Sequence, residues 1–74
     1  MNLDTLNRQI GKRIIALRKG HNLTMEKLAY ESGISKGGLS EIERGMKEPR
    51  LSTLVKVCET LDISMKDFFD FDLK

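Results

Sequence analysis

One all-α domain of five short helices is the fold class that this 74-residue sequence predicts. Three observations lead there. Apolar residues recur at three- and four-residue intervals along most of the chain, the spacing of one helical face. Polar capping residues precede these segments, and glycine follows several of them. No internal repeat, low-complexity tract or linker interrupts residues 1–74, so a single domain accounts for them. At this size the core is small and a fold lies near the limit of independent stability.

Taken in order, Asn2 or Asp4 can cap a first helix in which Leu6, Ile10, Ile14 and Leu17 share a face. Lys12, Arg13, Arg18 and Lys19 gather towards its end, where cations suit the helix dipole, and Gly20-His21-Asn22 stops it. Thr24 is an N-cap for a second helix, Met25 to about Glu31, with Leu28 and Ala29 inward. Gly33 ends that helix, Ser35 caps a third with Leu39 and Ile42 inward, and Gly45 closes it just after Arg44. Met46 to Pro49 is a loop. Leu51, Leu54, Val55, Cys58 and Leu61 then give a fourth amphipathic helix. Ser64, with Asp67 three residues on, resembles a capping box for a short fifth helix carrying Met65, Phe68 and Phe69.

Composition narrows the function classes. A single cysteine forms no internal disulfide, and no signal peptide or long apolar run is present. The expectation is a cytoplasmic protein without a membrane partner. Cys58 falls in an apolar stripe and reads as a small core residue. His21, the sole histidine, makes no metal site with that lone cysteine and reads as an exposed loop residue. No His/Ser/Asp set, paired-acid site or phosphate loop can be assembled, so neither an enzyme nor a cofactor is expected. The net charge is only +2, but it is unevenly spread. Residues 1–50 hold ten Lys/Arg against six Asp/Glu, while residues 51–74 hold three against five. The first stretch suits a polyanion and the second does not.

Met25 to Arg44 is the stretch that the rest serves. Two short helices joined by a turn of three or four residues at a steep angle describe a helix-turn-helix. Such a crossing needs a small side chain where the helices come close, which Ala29 supplies. The bend needs a residue that tolerates positive φ, which Gly33 supplies.

Ile10-Gly11-Lys12-Arg13-Ile14, Leu17-Arg18, Leu23-Thr24, Leu28-Ala29, Gly33-Ile34-Ser35, Leu39-Ser40-Glu41-Ile42-Glu43-Arg44-Gly45 and Pro49 resemble the phage-repressor (Cro/repressor-type) helix-turn-helix family. The resemblance runs from residue 10 to about residue 69. It implies a lambda-repressor-like five-helix domain that binds double-stranded DNA and acts on transcription, usually as a homodimer. It also implies an ion pair between Arg18 and Glu43 that fixes the third helix against the first and reads no base. Three positions depart from the family. Met25 stands where glutamine commonly holds a phosphate, Gly37 and Gly38 occupy early positions of the recognition helix, and Arg50 replaces a common Ser or Thr cap.

At about 100° per residue, Lys36, Gly37, Ser40, Glu41 and Arg44 share one arc of the third helix, opposite Leu39 and Ile42. That arc is free to enter a major groove, led by its N-terminal residues. Lys36 can donate to guanine O6 or N7, Glu41 can accept from cytosine N4, and Ser40 can do either. Thr24, Lys47 and Arg50 complete the expected DNA-contacting set. Arg50, a cation at a helix N-terminus, is unfavourable unless an anion docks there. It is expected to grip a phosphate or to reach into the adjacent minor groove. The expected function is a sequence-specific DNA-binding transcriptional regulator, foremost a repressor, with a restriction-modification controller as one variant. The alternative is an antitoxin-like or adaptor module that uses the same fold to hold a protein. Residues 68–74 are the candidate dimerisation tail, because Phe69, Phe71 and Leu73 alternate with Asp70 and Asp72.

Overall fold

Each helix of the computed structural model, which describes residues 1–72, starts where a short polar side chain is available to start it, with one exception. The elements are α1 (Leu3–Gly20), α2 (Met25–Ser32), α3 (Lys36–Glu43), α4 (Leu51–Leu61) and α5 (Met65–Phe68), with no strand among the described residues. Asn2 Oδ1 accepts the Thr5 N–H at 2.8 Å, so Asn2 rather than Asp4 caps α1. Thr24 Oγ1 accepts from Lys27, Ser35 Oγ from Gly38 and Ser64 Oγ from Asp67, at 3.1, 3.0 and 3.0 Å. Each bond satisfies a first-turn N–H that has no partner within its helix and contributes about 1 kcal/mol. The exception is α4, whose N-cap Arg50 makes no such bond.

Gly33 adopts φ 69°, ψ 34° and ends α2, with Ile34 N–H returning to the Ala29 carbonyl at 2.9 Å. That left-handed residue turns the chain sharply enough for α3 to begin at Lys36. The α4 helix ends on a left-handed residue as well, here Asp62 at φ 55°. The expected inward residues Ile10, Ile14, Leu28, Ala29, Leu39 and Ile42 are all buried, and Leu6 and Leu17 pack against them.

One assignment on α4 needs correcting. Leu51 is 70% exposed and Val55 39%, so neither belongs to the core face. The buried stripe is Leu54, Val57, Cys58 and Leu61. Apolar residues lie on more than one side of this helix, so spacing alone allows two faces. Packing against α2 and α5 selects the one at i, i+3, i+4 and i+7. Cys58 is a small core residue, its thiol 3.4 Å from the Met65 sulfur and raised in pKa by burial.

Two contacts fix the outer helices. At Gly11 a methyl group would lie 2.5 Å from the carbonyl oxygens of both Ile42 and Glu43, so α1 and the end of α3 meet backbone to backbone. Ala29 is buried as expected, but Gly11 marks this close approach. At the other end, Arg13 of α1 donates from Nε to the Phe68 carbonyl at 2.8 Å and from Nη2 to the Asp67 carbonyl at 2.7 Å. Its guanidinium also lies 5.6 Å from the Phe71 ring centroid. Phe68 is fully buried; Phe69 meets it edge to face and stacks on Phe71, while Asp70 and Asp72 stay exposed. Leu73 and Lys74, the rest of the candidate tail, lie outside the described residues. Among the described residues no helix is long and apolar enough to cross a membrane.

Candidate nucleic-acid interface

The inner side of α3 is fastened before its outer side is considered. Arg18 Nε and Nη2 meet Glu43 Oε2 and Oε1 at 2.9 and 3.1 Å, a two-pronged fork. The side chains are only 14% and 6% exposed, and Arg18 Nη1 also donates to the Leu23 carbonyl. A planar guanidinium matched to a carboxylate sets orientation as well as distance. The pair therefore joins α1, the loop before α2 and α3, as the resemblance implied. With Leu39 and Ile42 buried beside it, α3 has one face left over.

On that face Lys36, Gly37, Glu41 and Arg44 are exposed and Ser40 is half-buried. Nothing lies within 4 Å of where a Gly37 side chain would be, so the backbone there is open to close approach. Arg44 Nε donates to the Ser40 carbonyl at 3.4 Å. Thr24 is exposed, its hydroxyl already engaged in capping α2. Lys47 and Arg50 come together at a cleft of about 240 Å³, bordered by Ser35 and Gly38 of the α3 start and by Pro49 and Thr53. The uncapped N–H groups of α4 begin at this cleft's edge, and an oxyanion is their natural partner.

Sequence reasoning missed Glu26. Its Oε2 lies 3.3 Å from Lys36 Nζ, joining the first turn of α2 to the first residue of α3. Its own backbone N–H and then the Lys36 ammonium hold the Glu26 carboxyl below the usual carboxylate range. Ten residues separate the two, and no helical spacing rule links them. Only the turn at Gly33 brings them together. Among the described residues, no group of three or more His, Cys, Asp or Glu could hold a metal ion.

The sequence pattern of the helix-turn-helix family matches residues 14–68. The chain belongs to this family. Among its relatives, the transcriptional regulator SlrR of Bacillus subtilis is 42% identical over 62 residues, covering 82% of this chain and 41% of SlrR. The chain thus spans about two fifths of that relative's length. The restriction-modification controller C.AhdI of Aeromonas hydrophila superposes with a TM-score of 0.82 at 30% identity, covering 85% of this chain and 96% of C.AhdI. SinR of Bacillus subtilis, a master regulator of biofilm formation solved in complex with DNA, superposes at 0.77 with 37% identity, covering 82% and 98%. The family resemblance read from the sequence therefore holds, and so does the all-helical five-helix fold.

Proposed function

We infer that the chain is a sequence-specific DNA-binding transcriptional regulator, acting as a repressor on double-stranded DNA. The observation that carries this reading is the asymmetry of α3. One face is locked to α1 by a buried bidentate ion pair and a backbone contact, and the other presents Lys36, Gly37, Glu41 and Arg44 to solvent. A helix fixed behind and free in front is what major-groove readout requires. In this reading Lys36, Ser40 and Glu41 meet base edges, and Gly37 lets the backbone come close. Thr24, Arg44, Lys47 and Arg50 meet phosphates, with Arg50 supplying the charge at the uncapped start of α4.

Catalysis has no part in the reading, and the compartment is the cytoplasm, where the operator is. Two copies bind two half-sites about one helical turn apart. The aromatic end of the chain, beyond the core residue Phe68, is the surface proposed to join them.

The test is selection of bound duplexes from a randomised pool, followed by titration of the selected site at several salt concentrations. Each neutralised phosphate should steepen the fall of log K with log salt by about 0.9. A flat salt response, together with a stable complex with a protein partner, would favour the adaptor or antitoxin-like alternative. Sedimentation of Phe71→Asp with Leu73→Asp should show a dimer becoming a monomer with its helix content kept. A wild type already monomeric at high concentration would refute the dimer.

A further inference from the structure

We propose that Glu26 is a specificity-determining residue, which reads one base pair jointly with Lys36 as a coupled acceptor and donor. The proposal rests on α3 being the recognition helix.

At the leading end of α3 side chains are scarce. Gly37 and Gly38 have none, and the Ser35 hydroxyl is engaged in capping. Lys36 is the sole long side chain there, and its ammonium is held at 3.3 Å by a carboxylate from a different helix. Both side chains remain open to solvent, at 65% and 60% exposure. The pairing uses up neither group. Lysine has three N–H donors and spends one on Glu26, while a carboxylate has about four acceptor sites, of which the Lys36 ammonium and the Glu26 backbone N–H take two. What remains is a donor and an acceptor side by side, each oriented by the other.

A lone lysine in a major groove favours guanine, whose O6 and N7 are both acceptors, and tolerates any other acceptor. The couple asks for more. It fits an acceptor adjacent to a donor, as in guanine O6 beside its paired cytosine N4, or adenine N7 beside its own N6. With the G·C pair reversed, the Lys36 ammonium meets the cytosine N4 donor and the Glu26 anion meets the guanine acceptors, so that orientation is rejected. The carboxylate also stands in the first turn of α2, one residue after Met25. An anion next to the duplex backbone weakens contact with every sequence, so it raises the ratio of specific to nonspecific binding. The Glu26 carboxyl stays ionised well below neutral pH, because its own backbone N–H and the Lys36 ammonium favour the charged form.

The experiment compares wild type, Glu26→Gln and the exchanged pair Glu26→Lys with Lys36→Glu, by selection from a randomised duplex pool and by titration on a mixed nonspecific duplex. Glu26 is exposed, and circular dichroism verifies that each variant is folded. For Glu26→Gln, discrimination at one base pair per half-site should fall about tenfold, within the range of one bidentate contact. Nonspecific affinity should rise severalfold and its salt dependence should steepen. The exchanged pair should invert the preference at that base pair, turning G·C into C·G or moving it off adenine. An exchanged pair that keeps the wild-type preferred base overturns the proposal and Lys36 as a base reader with it, whereas Glu26→Gln isolates the part played by Glu26. An unchanged profile and nonspecific affinity in Glu26→Gln overturn it too, while leaving DNA recognition by α3 intact. A wild type that selects no DNA refutes the DNA-binding reading and this inference with it.

Discussion

Gly11→Ala would place a methyl carbon 2.5 Å from two backbone carbonyl oxygens, those of Ile42 and Glu43. Real carbons do not approach so closely, so α1 and α3 must separate by more than half an ångström. Neither side can yield cheaply, since both obstacles are main chain at the end of α3. Overpacking of this kind costs about 3 kcal/mol at the upper end of its usual range. Alanine returns about 1 kcal/mol of helix propensity over glycine inside α1. The net loss of about 2 kcal/mol corresponds to a fall of about 8–16 °C in melting temperature for a domain of this size. Gly37→Ala is the matched control, because nothing lies within 4 Å of its new methyl group and α3 gains the same propensity. It should melt above wild type. Thermal unfolding followed by far-ultraviolet circular dichroism decides the matter. A Gly11→Ala variant as stable as Gly37→Ala would refute the close approach of α1 and α3.

Arg18→Ala strands the buried Glu43 carboxylate and should cost about 3–5 kcal/mol in urea unfolding. Arg18→Met combined with Glu43→Leu should recover most of that loss. Arg50→Ser supplies the missing cap of α4, so it should add about 1 kcal/mol of stability. In DNA titrations the same variant should flatten the salt slope by about one phosphate contact. Burial raises the Cys58 pKa, so the folded state favours the neutral thiol. That stability is complete below the ordinary thiol value and is lost as pH climbs through the raised one. Correspondingly, alkylation in mildly alkaline buffer should be slow for native protein and fast once urea unfolds it.

Features settled within a few residues were legible in the sequence. Asn2, Thr24, Ser35 and Ser64 cap because a short polar side chain three residues before an N–H needs no help from the rest of the fold. Gly33 likewise takes the left-handed turn that separates α2 from α3. The exposed arc of α3 followed from helical geometry once Leu39 and Ile42 were placed inward. Readings that depend on a distant partner fared differently. Val57 displaced Leu51 and Val55 from the core because α2 and α5 decide which side of α4 is covered. Gly11 reads locally as a weak point in a helix, and its purpose appears only with α3 laid across it. The Arg18–Glu43 pair was anticipated through family resemblance alone. The Lys36–Glu26 pair, which no resemblance supplied, was not anticipated.

Arg13 and α5 carry a consequence for the order in which this chain is made. A four-residue helix has almost no stability of its own, because fixing its first turn costs more than its hydrogen bonds return. Its last carbonyls are taken by a guanidinium 54 and 55 residues earlier in the chain. As the polypeptide leaves the ribosome, α1 emerges with Arg13 unengaged, and α3 can dock on it through Gly11 and Arg18. The partners that join α1 to α3 are thus all out once residue 45 emerges, while α5 must wait for its own residues and then close back on the first helix. Synthesis delivers the two ends of the α1–α3 junction early and supplies the latch on the far side last.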